Sequence, residues 1–191
     1  MIEAATRPAG STDDILCDVL RPALRAVFVG MAAGKASAAK GRHYAGPGNK
    51  FWSVLAAVRL TPERLTPDRE RELLGHGLGL TDMQKRQSGA DAEINVGPAD
   101  VELARCKLRA NRPAAIAFNG KRAAAYWLGT GTTALRYGPM DDPHGVVPEL
   151  FILPLTSGAA SGFWDVRPWI ELAGRLTRSW PDEAALRSGT S

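Results

Sequence analysis

The stretch AVFVGMAAGKAS, Ala26 to Ser37, decides the fold. Its opening positions, Ala26 to Gly30, are apolar or glycine, the pattern of a short strand buried on both faces. They run into a turn framed by Gly30 and Gly34. In an open α/β sheet the loops that leave the carboxyl ends of the strands face the ligand, because helices cover both faces. This turn should therefore line a pocket. Yet Met31, Ala32 and Ala33 carry no acid, base or nucleophile. Either the turn only shapes the pocket, or the reacting groups come from elsewhere in the chain.

Working outward, three more apolar runs have the same character: GLGLTDM from Gly77, AAIAFNG from Ala114 and LFILPLT from Leu150. Between them the spacing predicts helices over NKFWSVLAAV, PDRERELLG, ADVELARCKLRANR and KRAAAYWLG, the third capped by Asp100 and closed before Pro113. Val166, Trp169, Ile170, Ala173, Leu176 and Trp180 recur at helical spacing and predict a closing amphipathic helix with these residues in the core. Parallel strands need crossovers of a dozen or more residues, and this alternation provides them. The expected architecture is α/β, a three-layer α/β/α sandwich around a short, mostly parallel four-stranded sheet. Function should then lie in the long loops after the first, second and fourth strands: MAAGKASAAKGRHYAGPG, QKRQSGADAEINVGPA and TSGAASGFW.

A chain of 191 residues, 45% hydrophobic, has material for one core rather than two. We expect a single domain over residues 13–182, with flexible arms at 1–12 and 183–191, both rich in small and polar residues. The net charge of +4 suits a polyanionic partner. Cys17 and Cys106 form no CxxC pair, which argues against a disulfide framework or a zinc site. No apolar run approaches the ~20 residues of a membrane span, and MIEAATRPAGSTDD lacks the apolar core of a signal peptide. The expectation is a cytoplasmic monomer with no membrane partner. A phosphate-binding P-loop is rejected on spacing: Gly30 and Gly34 are one residue too close, and Ala36 stands where a hydroxyl should follow Lys35.

The segment GRHYAGPGNKFWSVL is more informative, with glycines, a proline, a His-Tyr pair and Asn49 opening an aromatic helix. Taken with GMAAG before it, GLGLTDMQKRQS and AIAFNGKRAA in the middle and LPLTSGAAS near the end, it resembles the uracil-DNA glycosylase superfamily. The likeness is greatest to the mismatch-specific uracil and thymine glycosylases. The blocks occur in order, from about Asp14 to Trp180. The resemblance implies hydrolysis of the bond between a deaminated base and deoxyribose after the nucleotide has flipped out of the duplex, with no metal or cofactor. The partner would be DNA containing uracil, or hypoxanthine or xanthine.

That resemblance places Gly30, Met31, Ala32, Tyr44, Phe51, Asp82 and Asn119 at the base. Tyr44 would stack on it, or else pack on Trp52. Asp82 would accept the imino proton of uracil or the matching N–H of a deaminated purine, or else cap a turn. Asn119 either orients the pocket or, the reading we prefer, holds the turn before Lys121. Thr156, Ser157, Gly158 and Ala159 lie where the family grips the DNA backbone, and Lys35, Lys85 and Arg86, with Lys40 and Arg42 near by, would add phosphate contacts. Ala159 and Ala160 are small where relatives place a leucine or arginine wedge.

The family's usual first motif is Gly-Ile-Asn-Pro-Gly, whose asparagine holds the attacking water, and Ala32 occupies that slot here. Three residues are candidates to replace it. Asn49 comes first, because hypoxanthine glycosylases of the superfamily also lack the first asparagine and use one in this block; its other reading is a helix cap. Asp82 is second, as base or electrostatic partner, and His43 third. The rival function is a non-catalytic module that binds damaged bases or abasic sites; more distant is a nucleoside binder that uses the same loops.

Overall fold

The computed structural model describes residues 13–158 and 164–179. In chain order the elements are β1 (Ala26–Ala33), α1 (Lys35–Lys40), α2 (Phe51–Ala57), a 3-10 segment (Pro67–His76), β2 (Leu78–Ser88) and a 3-10 turn (Asp91–Glu93). There follow α3 (Pro98–Asn111), β3 (Ala115–Asn119), α4 (Lys121–Leu128), a 3-10 turn (Thr132–Ala134), β4 (Gly138–Met140), β5 (Glu149–Leu153) and α5 (Arg167–Ser179). The sheet has five strands in the order β2-β1-β3-β5-β4, one more than expected. Its parallel pairs are β1 with β2, β1 with β3 and β3 with β5, whereas β4 runs antiparallel to β5 at the edge. The sequence Gly-Pro-Met hides β4, because glycine and proline disfavour a strand and proline is tolerated only where a backbone N–H is not needed.

The apolar runs are explained by alternation between two buried faces. Phe28, Leu80, Ala117 and Phe151 pack against Phe51 and Leu55 of α2 and Trp169 and Leu172 of α5. Their neighbours Val27, Val29, Ile116 and Ile152 pack against Ala104 and Leu108 of α3 and Ala124 and Trp127 of α4. Both faces are covered, which is why each strand reads as nearly continuous hydrophobe. The ligand-facing edge of the sheet stays open.

Three local expectations are corrected. The turn expected after Gly30 is strand: β1 continues to Ala33, with Gly30 in register with Asp82, Ala32 with Gln84, and a bulge before Ala33. Helix α3 starts at Pro98 with Gly97 as its cap, and Asp100 sits three residues in, its Oδ2 accepting the Gly97 N–H at 2.8 Å. In α5, Trp169, Ala173 and Leu176 are buried, but Ile170 is 56% exposed and faces away from the core. Trp180 lies outside the described residues.

Candidate active site

At the carboxyl edge of the sheet a cavity of about 430 Å3 opens between the ends of β1 and β2, the loop from His43 to Asn49 and the loop at 155–158. Its size is that of a small-molecule pocket, roughly 300–1,000 Å3. Gly30, Met31, Ala32, His43, Tyr44, Asn49, Asp82 and Asn119 line it, so the fold brings most of the residues expected at the base to one place.

The floor is built from the pairing of Gly30 with Asp82. A Cβ on Gly30 would stand 2.4 Å from Asp82 Oδ1 and 3.5 Å from Tyr44 Oη. Glycine is needed so that a carboxylate and a phenol can meet over the strand. Tyr44 adopts a left-handed backbone, φ 53°, and its ring stacks on Phe51 with centroids 3.9 Å apart and planes 21° from parallel. Its partner is thus Phe51, not Trp52. Phe51 is fully buried behind Tyr44 and is not part of the cavity wall, which withdraws it as a base contact. The Tyr44 hydroxyl is buried and nothing among the described residues meets strict hydrogen-bond geometry to it, although the Asn119 amide lies near enough to interact. Burial, reinforced by the Asp82 carboxylate, pushes the phenol far above its ordinary pKa, so Tyr44 stays protonated.

His43 is buried under this floor. The His43 backbone N–H donates to Glu70 Oε2 at 2.9 Å, and the ring Nδ1 lies 2.9 Å from the same oxygen. On the other side Nε2 is 3.7 Å from Asp82 Oδ2 and has no hydrogen-bond partner among the described residues. Burial alone would lift the Glu70 carboxyl, but the hydrogen bonds from His43 outweigh it and hold the acid below its usual range. Glu70 is therefore an acceptor, so Nδ1 carries hydrogen. No motif marked Glu70 in the sequence.

Asn49 and Asn119 divide the expected roles. Asn49 Oδ1 accepts the Phe51 N–H at 2.9 Å, which tethers the start of α2. This assigns the oxygen and leaves the Nδ2 donors at the cavity wall. Asn119 Nδ2 donates to Thr156 Oγ1 at 2.8 Å, and the Thr156 N–H donates to Asn119 Oδ1 at 3.0 Å. That closed pair holds the loop at Thr156, not the turn before Lys121 that its position suggests. Thr156 is wholly buried in it and is not offered to DNA.

A second acid in the cavity was not singled out from the sequence. Asp91 opens the 3-10 turn after β2 and lines the same cavity as Ala32 and Ala33. Burial raises its carboxyl above the usual range; Arg122 opposes the shift and Asp82 adds to it. The signal available was only its place in a loop already expected to be functional.

The basic residues separate by burial. Lys35 is exposed at the rim, 3.8 Å from Glu93, and Arg86 is exposed. Lys85 is 6% exposed and bonded to Asp18 at 2.8 Å, so it is withdrawn as a phosphate contact. Lys40 Nζ donates to Ala45 O at 3.2 Å, and Arg42 Nε is 3.6 Å from Asp68. Ser157 and Gly158 are half-buried at the cavity mouth, and Ala159 lies outside the described residues. Among the described residues no group of three or more His, Cys, Asp or Glu is arranged to hold a metal ion, and no helix is long and apolar enough to cross a membrane.

Tyr44, Asp82, Asn49 and Asn119 thus meet in one cavity at the open edge of an α/β/α sandwich. The chain belongs to the uracil DNA glycosylase superfamily, whose family model matches residues 17–169. That membership makes it one of a class of base-releasing DNA hydrolases. Its fold is similar to the solution NMR structure of a candidate uracil DNA glycosylase from Methanosarcina acetivorans, with a TM-score of 0.55 at 20% identity. The match covers 85% of this chain and 95% of the other.

Proposed function

We propose that the protein hydrolyses the N-glycosidic bond of uracil flipped out of DNA, and of hypoxanthine or xanthine, leaving an abasic site. The observation that carries this reading is the acceptor-only floor: Asp82 beneath a stacked Tyr44, reached over a glycine. Deamination turns the ring nitrogen of cytosine or adenine from a bare lone pair into an N–H. A carboxylate accepts from the deaminated base and repels the lone pair of the parent. Tyr44 supplies the stacking face, worth roughly 1–3 kcal/mol per base. Asn49, its oxygen held by Phe51, uses Nδ2 to place the attacking water in the role that Ala32 cannot fill. His43, anchored by Glu70, sits behind Asp82 and holds the floor. Lys35, Ser157 and Gly158 line the cavity and would meet the phosphates, with the exposed Arg86 as a further contact.

The test uses purified protein with labelled duplexes and single strands, each carrying one uracil, hypoxanthine or xanthine, followed by alkali. Strand scission at the lesion in the presence of a chelator is expected. Tight binding to these DNAs without base release would make the protein a damage-binding module instead.

A further inference from the structure

Water attacking a sugar carbon must give up a proton, and the donors that Asn49 presents cannot take it. Asp82 is engaged at the floor, against Gly30 and in front of His43. The remaining acid is Asp91, and the backbone fixes where it stands. Ser88 is in register with Ala33, and the Gly89 N–H donates to Ala33 O at 3.0 Å. The loop after β2 is thereby pinned to the end of β1 before it turns into Asp91–Glu93. Asp91 lines the same cavity as Met31, Ala32 and Ala33, two residues on from the Gly89 that is bonded to Ala33.

We propose that Asp91 is the catalytic base of this site, supplied by the loop after β2 in place of a polar group in the first motif. The inference rests on the glycosylase reading above. A lone pair of the water oxygen forms the bond to C1′ as the C1′–N bond breaks, and the bonding pair leaves with the base. The water proton passes to the Asp91 carboxylate and from there to solvent or to the departing base. One water is consumed, and one free base and one abasic sugar are produced.

The groups that face Asp91 decide how it titrates. Asp82 approaches from β2 and Arg122 from α4, and Tyr44 closes the cavity from the loop after α1. Glu93 and Lys35 pair with each other at the rim. Burial and Asp82 make Asp91 a better proton acceptor than a free aspartate, and Arg122 limits the effect. Base release should therefore fall on the acid side as Asp91 becomes protonated.

The experiment is single-turnover base release from uracil DNA across pH, with abasic-site affinity and thermal melting measured on the same proteins. Asp91→Asn should slow release by about 10²–10⁴-fold, the range of general base catalysis, and should remove the acid limb while leaving abasic-site affinity intact. Arg122→Gln keeps the carboxylate and should move the midpoint of the limb to higher pH, an outcome that a purely structural Asp91 would not produce. If the wild type releases base and Asp91→Asn does so at the same rate and with the same profile, this inference fails and the glycosylase reading stands. An acid limb that Arg122→Gln leaves unmoved also counts against it. If the wild type releases no uracil, hypoxanthine or xanthine, both fail.

Discussion

Neighbouring strands β1 and β2 end at the same cavity, yet their ends have opposite chemistry. The end of β1 is Gly-Met-Ala-Ala, with no group that can hold or move a proton, whereas β2 and the loop after it bring Asp82 and Asp91. The register couples the two, since Gly30 faces Asp82 and any side chain there would collide with the carboxylate. The bareness of one strand end is thus a condition for the equipment of the other. A site can move its reacting groups across one strand without changing its fold.

After Asp91→Asn, the largest effect should come from a substitution at the loop before α2. Asn49→Ala should cut single-turnover base release by about 10² or more while abasic-site affinity is nearly unchanged, as expected for an interaction made in the transition state. Loss of its bond to the Phe51 N–H should cost roughly 0.5–2 kcal/mol of stability, read by denaturant titration. Ala32→Asn in that background rearms the bare strand; partial recovery would show that the two ends are interchangeable, and none that the bulge at Ala33 has closed that route.

A smaller and more selective effect is expected at the equipped strand. Asp82→Asn adds a donor to an acceptor-only group, and should change the ratio of uracil to xanthine and hypoxanthine release by about tenfold, the weight of one hydrogen bond. Binding of undamaged DNA should not move. Competition assays with mixed substrates read the ratio directly, and an unchanged ratio would return Asp82 to a structural role.

The smallest effect on chemistry should follow Glu70→Gln, because Glu70 touches the site only through His43. Its carboxyl titrates below its unfolded value, so its contribution to stability is fully present above that value and is lost as pH falls through the lower native one. The variant should melt lower at neutral pH, and the difference from wild type should shrink on acidification. Thermal scans between pH 3 and 7 check the sign, roughly spanning the carboxylate range.

Much of this was legible because it is local. The four buried runs and helices α2 to α5 follow in outline from apolar spacing, whereas PDRERELLG is 3-10 and α1 lies in the expected first loop. What was not legible depends on partners distant in sequence. Nothing local marks Lys85 as buried, because its counter-ion Asp18 lies 67 positions away. Thr156 reads as an exposed loop hydroxyl until Asn119 claims it. Glu70 looks like one more acid in PDRERELLG, and Asp91 like one more polar residue in a loop, until the chain closes on the cavity. Edge strand β4 was hidden by its own composition, since Gly-Pro-Met carries no strand signal.

One contact between loops has a mechanical meaning. Gly158 lies so close to the turn before Asn49 that a Cβ there would sit 3.0 Å from Pro47 O, and the Lys50 N–H donates to Thr156 O at 2.9 Å. Two segments far apart in the chain are thereby stitched into one part. A push on residues 156–158 is transmitted to the seat of Asn49, so the mouth of the cavity and the Asn49 amide cannot be strained separately. The Lys50 amide is the natural gauge of that stitch: its rate of exchange with deuterium should report when the seam opens, well before the fold itself gives way.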